Sequence, residues 1–178
     1  MADFGQTDLL QILDSGTTEI VIPDGTENVD SKTFTGSDEE ILKKISRITK
    51  LSIPDSCKSP IHYGLDKLEN LKEVELRGKA ETLPPYFIGG AKSVEKVTLP
   101  PTLKVIPFHA FINCENLREI NIPPALETID FNAFTNCRSL EKIEFPKTLV
   151  SIGSIPSFWK TSSSFLLIIS NPSKSTGS

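Results

Sequence analysis

Chemistry in this 178-residue sequence would have to come from three cysteines, two histidines and 23 acidic residues. Cys114 and Cys137 stand 23 positions apart, a spacing at which a disulfide or half of a metal site is one reading. Ala91, a further 23 positions back, fills the same place without a thiol, and a zinc site needs four ligands at characteristic spacing. The pair therefore reads as a ladder of small apolar side chains at a tight turn. Cys57 falls in register with Ala80, Leu103, Leu126 and Leu149 and reads as core. His62 and His109 lie on units two apart, roughly 10 Å from each other if the units stack, too far to share a metal or a proton, and they read as loop histidines. Gly89-Gly90 lacks the Lys-Ser/Thr and the strand-turn-helix setting of a phosphate loop, so it marks a turn. No cofactor and no metal is expected, and Glu141 with Glu144 is the residual acidic pair from which a catalytic reading would have to start.

What positions these residues is a repeat. Blocks of 23 residues follow one another without a gap from Ser46, Glu69, Lys92, Glu115 and Arg138. The third place holds Ile48, Leu71, Val94, Leu117 and Leu140; the sixth Leu51, Val74, Val97, Ile120 and Ile143; the eighth Ile53, Leu76, Leu99, Ile122 and Phe145. The sixth and eighth places alternate with polar neighbours, as a strand buried on one face requires. Proline at the ninth place (Pro54, Pro100, Pro123, Pro146) then ends the strand, because it has no N–H for the next ladder. One strand per repeat, reached again only after more than a dozen residues, makes a parallel sheet, and the chain coils. An earlier copy over Ser15 to Ser37 puts Ile20, Ile22, Pro23, Val29 and Phe34 at the sixth, eighth, ninth, fifteenth and twentieth places, with Phe34 aligned to Ile88, Phe111 and Phe134. The insertion at 38–45, acidic then basic and with Ile41, Leu42 and Ile45 at helical spacing, suits a short amphipathic helix.

The charges agree with in-register stacking. Down the fifth place run Lys50, Glu73, Lys96, Glu119 and Lys142; down the fourth Lys72, Glu95, Arg118 and Glu141; down the first Glu69, Lys92, Glu115 and Arg138. All three rows alternate in sign, so each charge faces an opposite one on the neighbouring coil.

The pattern L-x-x-I-x-I-P, a spacer, L-x-x-I and then A-F-x-x-C, seen at Leu117 to Pro123, Leu126 to Ile129 and Ala133 to Cys137, resembles the 23-residue leucine-rich repeats of BspA-like surface antigens of bacteria and protists. The resemblance covers roughly residues 15 to 160. It implies a right-handed leucine-rich-repeat solenoid, with a parallel sheet on the concave face, irregular or short helical turns on the convex side, and recognition of other proteins or host surfaces. Ser46 to Leu68 departs by lacking A-F-x-x-C, and Arg77 stands where proline is expected.

The fold class expected is thus a repeat solenoid of about six coils. Residues 1–14 form an N-terminal cap, with a helix starting after Thr7 or Asp8; 15–160 form the solenoid, 161–170 a terminal strand or cap, and 171–178 a frayed tail. The fifth and seventh places should face outward as a non-enzymatic partner-binding surface: Lys50, Ser52, Glu73, Glu75, Lys96, Thr98, Glu119, Asn121, Lys142 and Glu144. The partner is expected to be a protein. A net charge of −4 argues against nucleic acid, and no apolar stretch approaches the ~20 residues that span a bilayer. Two alternatives stand beside recognition: a structural or self-assembly module (or a fragment of a longer array) associating through its C-terminal edge, and a solenoid enzyme acting on polysaccharide. The absence of a signal-like start and the low, odd cysteine count read as cytoplasmic; the resemblance implies the cell surface.

Overall fold

The computed structural model describes residues 2–35, 38–58, 61, 64–140 and 143–153. Five strands, β2 (Glu19–Val21), β4 (Lys50–Ile53), β5 (Glu73–Leu76), β6 (Lys96–Thr98) and β8 (Glu119–Ile120), form one sheet in the order β2-β4-β5-β6-β8. Every pairing is parallel, and the register is that of the repeat: Lys50 opposite Glu73, Lys96 and Glu119 in turn, and Leu51 opposite Val74, Val97 and Ile120. Ile20 pairs with Leu51, so the insertion lengthens the first connection without shifting the stack. It folds as helix α2 (Glu39–Ile45), capped by the Asp38 carboxylate, which accepts from the Glu40 and Ile41 amides at 2.8 and 3.3 Å. Ile45 is the face of α2 that is buried, Ile41 packs against the core, and Leu42 stays exposed.

A second sheet corrects the expectation of one strand per repeat. Strands β7 (Val105–Ile106), β9 (Thr128–Ile129) and β10 (Ser151–Ile152) pair in parallel in the order β10-β9-β7, and Thr82 bridges to Val105. These strands occupy the fourteenth and fifteenth places. Two residues are too few for alternation to register, so the sequence shows only the apolar anchor at the fifteenth place. In the first coil β3 (Thr26–Val29) lies at this level and pairs with β1 (Ala2–Phe4), a strand that the sequence reading did not foresee. Helix α1 follows at Gln6–Leu13, starting earlier than expected. Asp8 is its third residue and reaches back to accept the Gly5 amide at 2.8 Å rather than serving as the cap itself. Leu9 and Leu13 bury against the first coil, and Lys44 of α2 bonds Asp14 at 2.9 Å beyond the end of α1.

Between the sheets lies one continuous core. Its back is a column of rings, where Phe111 stacks on Phe134 at the twentieth place with centroids 5.1 Å apart and Phe87, at the nineteenth place of the coil before, meets Phe111 edge-on at 6.3 Å. The turns that close the coils from Glu69, Lys92 and Glu115 need left-handed backbone at the twenty-second place, met by Gly90, Asn113 and Asn136. The Asn136 amide donates to Asn113 Oδ1 at 2.7 Å, which carries the stacking out to the surface. The tail and terminal cap expected at 161–178 lie outside the described residues.

Candidate recognition surface

Lys96 on β6 and Glu119 on the edge strand β8 face each other on the open face of the five-stranded sheet, with Nζ and Oε1 2.9 Å apart. Their hydrogen bond and opposite charges, with Glu73 adding to the charge effect, hold the Lys96 ammonium above its usual range. Lys72 and Glu95 make the same contact at 2.8 Å on the fourth-place row, and it keeps the Glu95 carboxyl below its usual range. Lys92 and Glu115 repeat it at 3.4 Å on the first-place row. Glu19 adds an acid before Lys50 at the fifth place, and the second sheet has its own pair, Lys104 and Glu81 at 3.0 Å. These pairs are solvated and screened, so their worth is in specifying register more than in stability.

The ten residues expected on the binding face do not all stand free on it. Glu73, Thr98 and Glu119 are exposed, and Lys50, Glu75 and Lys96 are half-exposed. Lys50 reaches diagonally to Glu75 at 3.8 Å. Ser52 is a correction: only 4% exposed, it forms the floor of a shallow groove of about 230 Å³, with Val21, Lys50, Glu75 and Arg77 along its sides. Asn121 is exposed as well, and its side chain is already engaged. The Leu99 amide donates to Asn121 Oδ1 at 2.6 Å and Asn121 Nδ2 donates to the Leu99 carbonyl at 2.8 Å, so the amide group extends the ladder where β8 stops. Glu144 is exposed and has a partner of its own, and Lys142 lies outside the described residues, as does Glu141.

Arg77 has a larger part here than its place in the repeat announced. With proline absent from this coil, its amide donates to the Ile53 carbonyl at 2.8 Å. Its guanidinium crosses β4 to donate to Asp24 Oδ1 and the Ile22 carbonyl, each at 2.6 Å, tying the third coil to the first. The departure from Pro was the signal. At the N-terminal edge of the sheet, Thr17 Oγ1 accepts from the Glu19 amide at 3.2 Å and donates to the Glu19 carbonyl at 3.1 Å, occupying two groups that a further strand would need.

The cysteines are buried and unbridged. Cys114 Sγ lies 3.5 Å from the Ile88 carbonyl and Cys137 Sγ 3.1 Å from the Phe111 carbonyl, each thiol donating to the coil before it. Burial pushes the Cys137 thiol up to about 12 and the Cys114 thiol well above its usual value, so neither supplies a thiolate near neutral pH. Ala91 takes the same fully buried place one coil earlier. Among the described residues no three His, Cys, Asp or Glu side chains group as metal ligands, and no helix is long and apolar enough to cross a membrane. His109 lies beside Phe108 at the corner after the second sheet, while His62 is outside the described residues.

A family model described as BspA type leucine rich repeat region matches residues 38–165 in six copies. It begins after the first coil, which the strand register nonetheless joins to the stack. Among solved structures, a leucine-rich repeat protein from Eubacterium ventriosum is similar at 20% identity and a TM-score of 0.55, over 83% of this chain and 46% of that one. One from Bacteroides ovatus is 22% identical with a TM-score of 0.48, over 82% and 45% of the two chains. A leucine rich cell surface protein from Faecalibacterium prausnitzii is 15% identical with a TM-score of 0.48, over 78% and 44%. The chain spans less than half the length of these three proteins. No curated protein matches the sequence.

Proposed function

The chain belongs to the BspA type leucine-rich repeat family, and from that premise we propose that it is a noncovalent, non-enzymatic protein-recognition module that binds through the open face of its five-stranded sheet. The observation that carries this reading is the in-register parallel sheet, on which fifth-place and seventh-place side chains form a broad polar surface. Glu73 and Thr98 are its accessible centre, flanked by the Lys96–Glu119 and Lys50–Glu75 pairs. Catalysis is disfavoured on the same grounds. Lys96 is raised and Glu95 lowered, so each keeps its charge more firmly than usual, the reverse of what a general base or acid at neutral pH needs. The same reading has the protein at a cell surface in an adhesive role, which rests on the family resemblance.

The test is capture of a protein partner by the full chain, by a variant carrying Glu73→Arg and Thr98→Arg, and by a control carrying Glu127→Arg and Thr128→Arg on the second sheet. Capture lost only in the first variant supports the reading. Capture by both variants, or its loss from both with folding intact, contradicts it.

A further inference from the structure

Away from the sheet face, the seventeenth and eighteenth places of three successive coils gather rings at one corner. Tyr86, Phe108 and Phe131 are 38%, 40% and 55% exposed, the most open aromatic side chains among the described residues. Phe108 stacks on His109 with centroids 3.7 Å apart and planes 26° from parallel, and Tyr86 meets Phe108 and His109 edge-on at 5.8 and 4.8 Å. The backbone does not favour this choice of residues. Tyr86 and His109 have φ of 57° and 58°, and Asn132, the residue that tolerates such a conformation best, occupies the same place one coil later at 59°. Two bulky rings thus stand where Asn or Gly would relax the chain, and they leave apolar surface in water.

Charge narrows the occupant. Ring faces are electronegative, and the sixteenth to eighteenth places of the coils from Glu69, Lys92 and Glu115 hold one carboxylate, Asp130, and no Lys or Arg. The Asp130 amide donates to the Ile106 carbonyl at 2.9 Å, and Ile106 pairs with Ile129, so the backbone register carries Asp130 and Phe131 one coil along from Pro107 and Phe108. Lys104, the basic residue just before β7, is engaged by Glu81. Among the described residues these places are therefore aromatic and acidic, with no Lys or Arg of their own. We propose that the corner formed by Tyr86, Phe108, His109 and Phe131, with Asp130 beside it, is a second binding site that receives an arginine side chain presented by a protein partner. A planar guanidinium stacks on a ring face and pairs with a carboxylate at its edge, which a lysine ammonium does less well. This site is separate from the sheet face, and neither proposal depends on the other.

The full chain is titrated with N-acetyl-arginine amide and, separately, with its neutral isostere N-acetyl-citrulline amide and with methyl glucoside, following the amide and ring resonances of Phe108, His109 and Phe131 by NMR. The expected result is saturable binding of the arginine probe on the order of millimolar, weakened by added salt, with little response to citrulline. Phe108→Ala, Phe131→Ala and Asp130→Asn should each weaken it roughly threefold to tenfold. Equal binding of arginine and citrulline, binding of the glucoside alone, or no saturation by any probe overturns the proposal. The comparison of probes uses the unaltered chain, so it decides the matter even if a variant fails to fold.

Discussion

Raising the pH should destabilise this protein through its two stacked thiols. Cys137 titrates at about 12 when folded against an ordinary value of 9.0, and Cys114 is raised well above that value as well, because burial penalises the thiolate. In the unfolded chain both thiols ionise near their ordinary value, whereas the folded chain keeps both protons. The folded state then binds more protons, so stability is fully present below pH 9 and falls as pH rises toward the folded values. At pH 10 each thiol should cost about 1 kcal/mol relative to pH 8, and the two together roughly 2–3 kcal/mol. The assay is urea unfolding at pH 8 and pH 10, compared with a variant in which Cys114 and Cys137 are both Ala, the residue already buried at position 91. Lysines and tyrosines also titrate in this range but are common to both proteins, so the difference between the two pH dependences isolates the thiols. An equal loss of stability in the two proteins would refute the reasoning.

Phe111→Ala, at the middle of the ring column, should cost about 3–5 kcal/mol in urea unfolding, while Phe131→Ala at the exposed corner should change stability by no more than ~0.5 kcal/mol. Arg77→Leu removes the bonds to Asp24 and Ile22 and should cost roughly 1–3 kcal/mol, with faster amide hydrogen exchange in the first coil than in the fourth. Asn121→Leu should cost about 1–2 kcal/mol and expose the Leu99 amide to exchange, because both of its bonds go to that residue's backbone.

The sequence exposed the parts of the fold that recur at fixed intervals with one kind of side chain. Leu51, Val74, Val97 and Ile120 could be aligned before any strand was seen, since a buried place admits only apolar residues and the 23-residue spacing repeats it. The opposed charges at Lys96 and Glu119 were legible for the same reason. The second sheet was not, because Val105–Ile106 and Thr128–Ile129 are too short to alternate. Strand β1 lies before the repeat and pairs with β3 through backbone groups, which no side chain announces. On the candidate face, position in the repeat gave the direction of each side chain but not its engagements. Ser52 lies under the Lys50–Glu75 pair and Asn121 bonds the backbone of the neighbouring coil, both consequences of what stands next door. The aromatic corner is not legible in the repeat, because the seventeenth and eighteenth places keep no single residue type: Pro85 and Tyr86, Phe108 and His109, Phe131 and Asn132.

The most direct test of the stack is a methyl NOE spectrum of the full chain labelled at Leu, Val and Ile. Strand spacing of about 4.8 Å predicts cross-peaks that step from Leu51 to Val74, from Val74 to Val97 and from Val97 to Ile120. Cross-peaks that tie Val97 to residues of its own coil, with none to Val74 or Ile120, would contradict it.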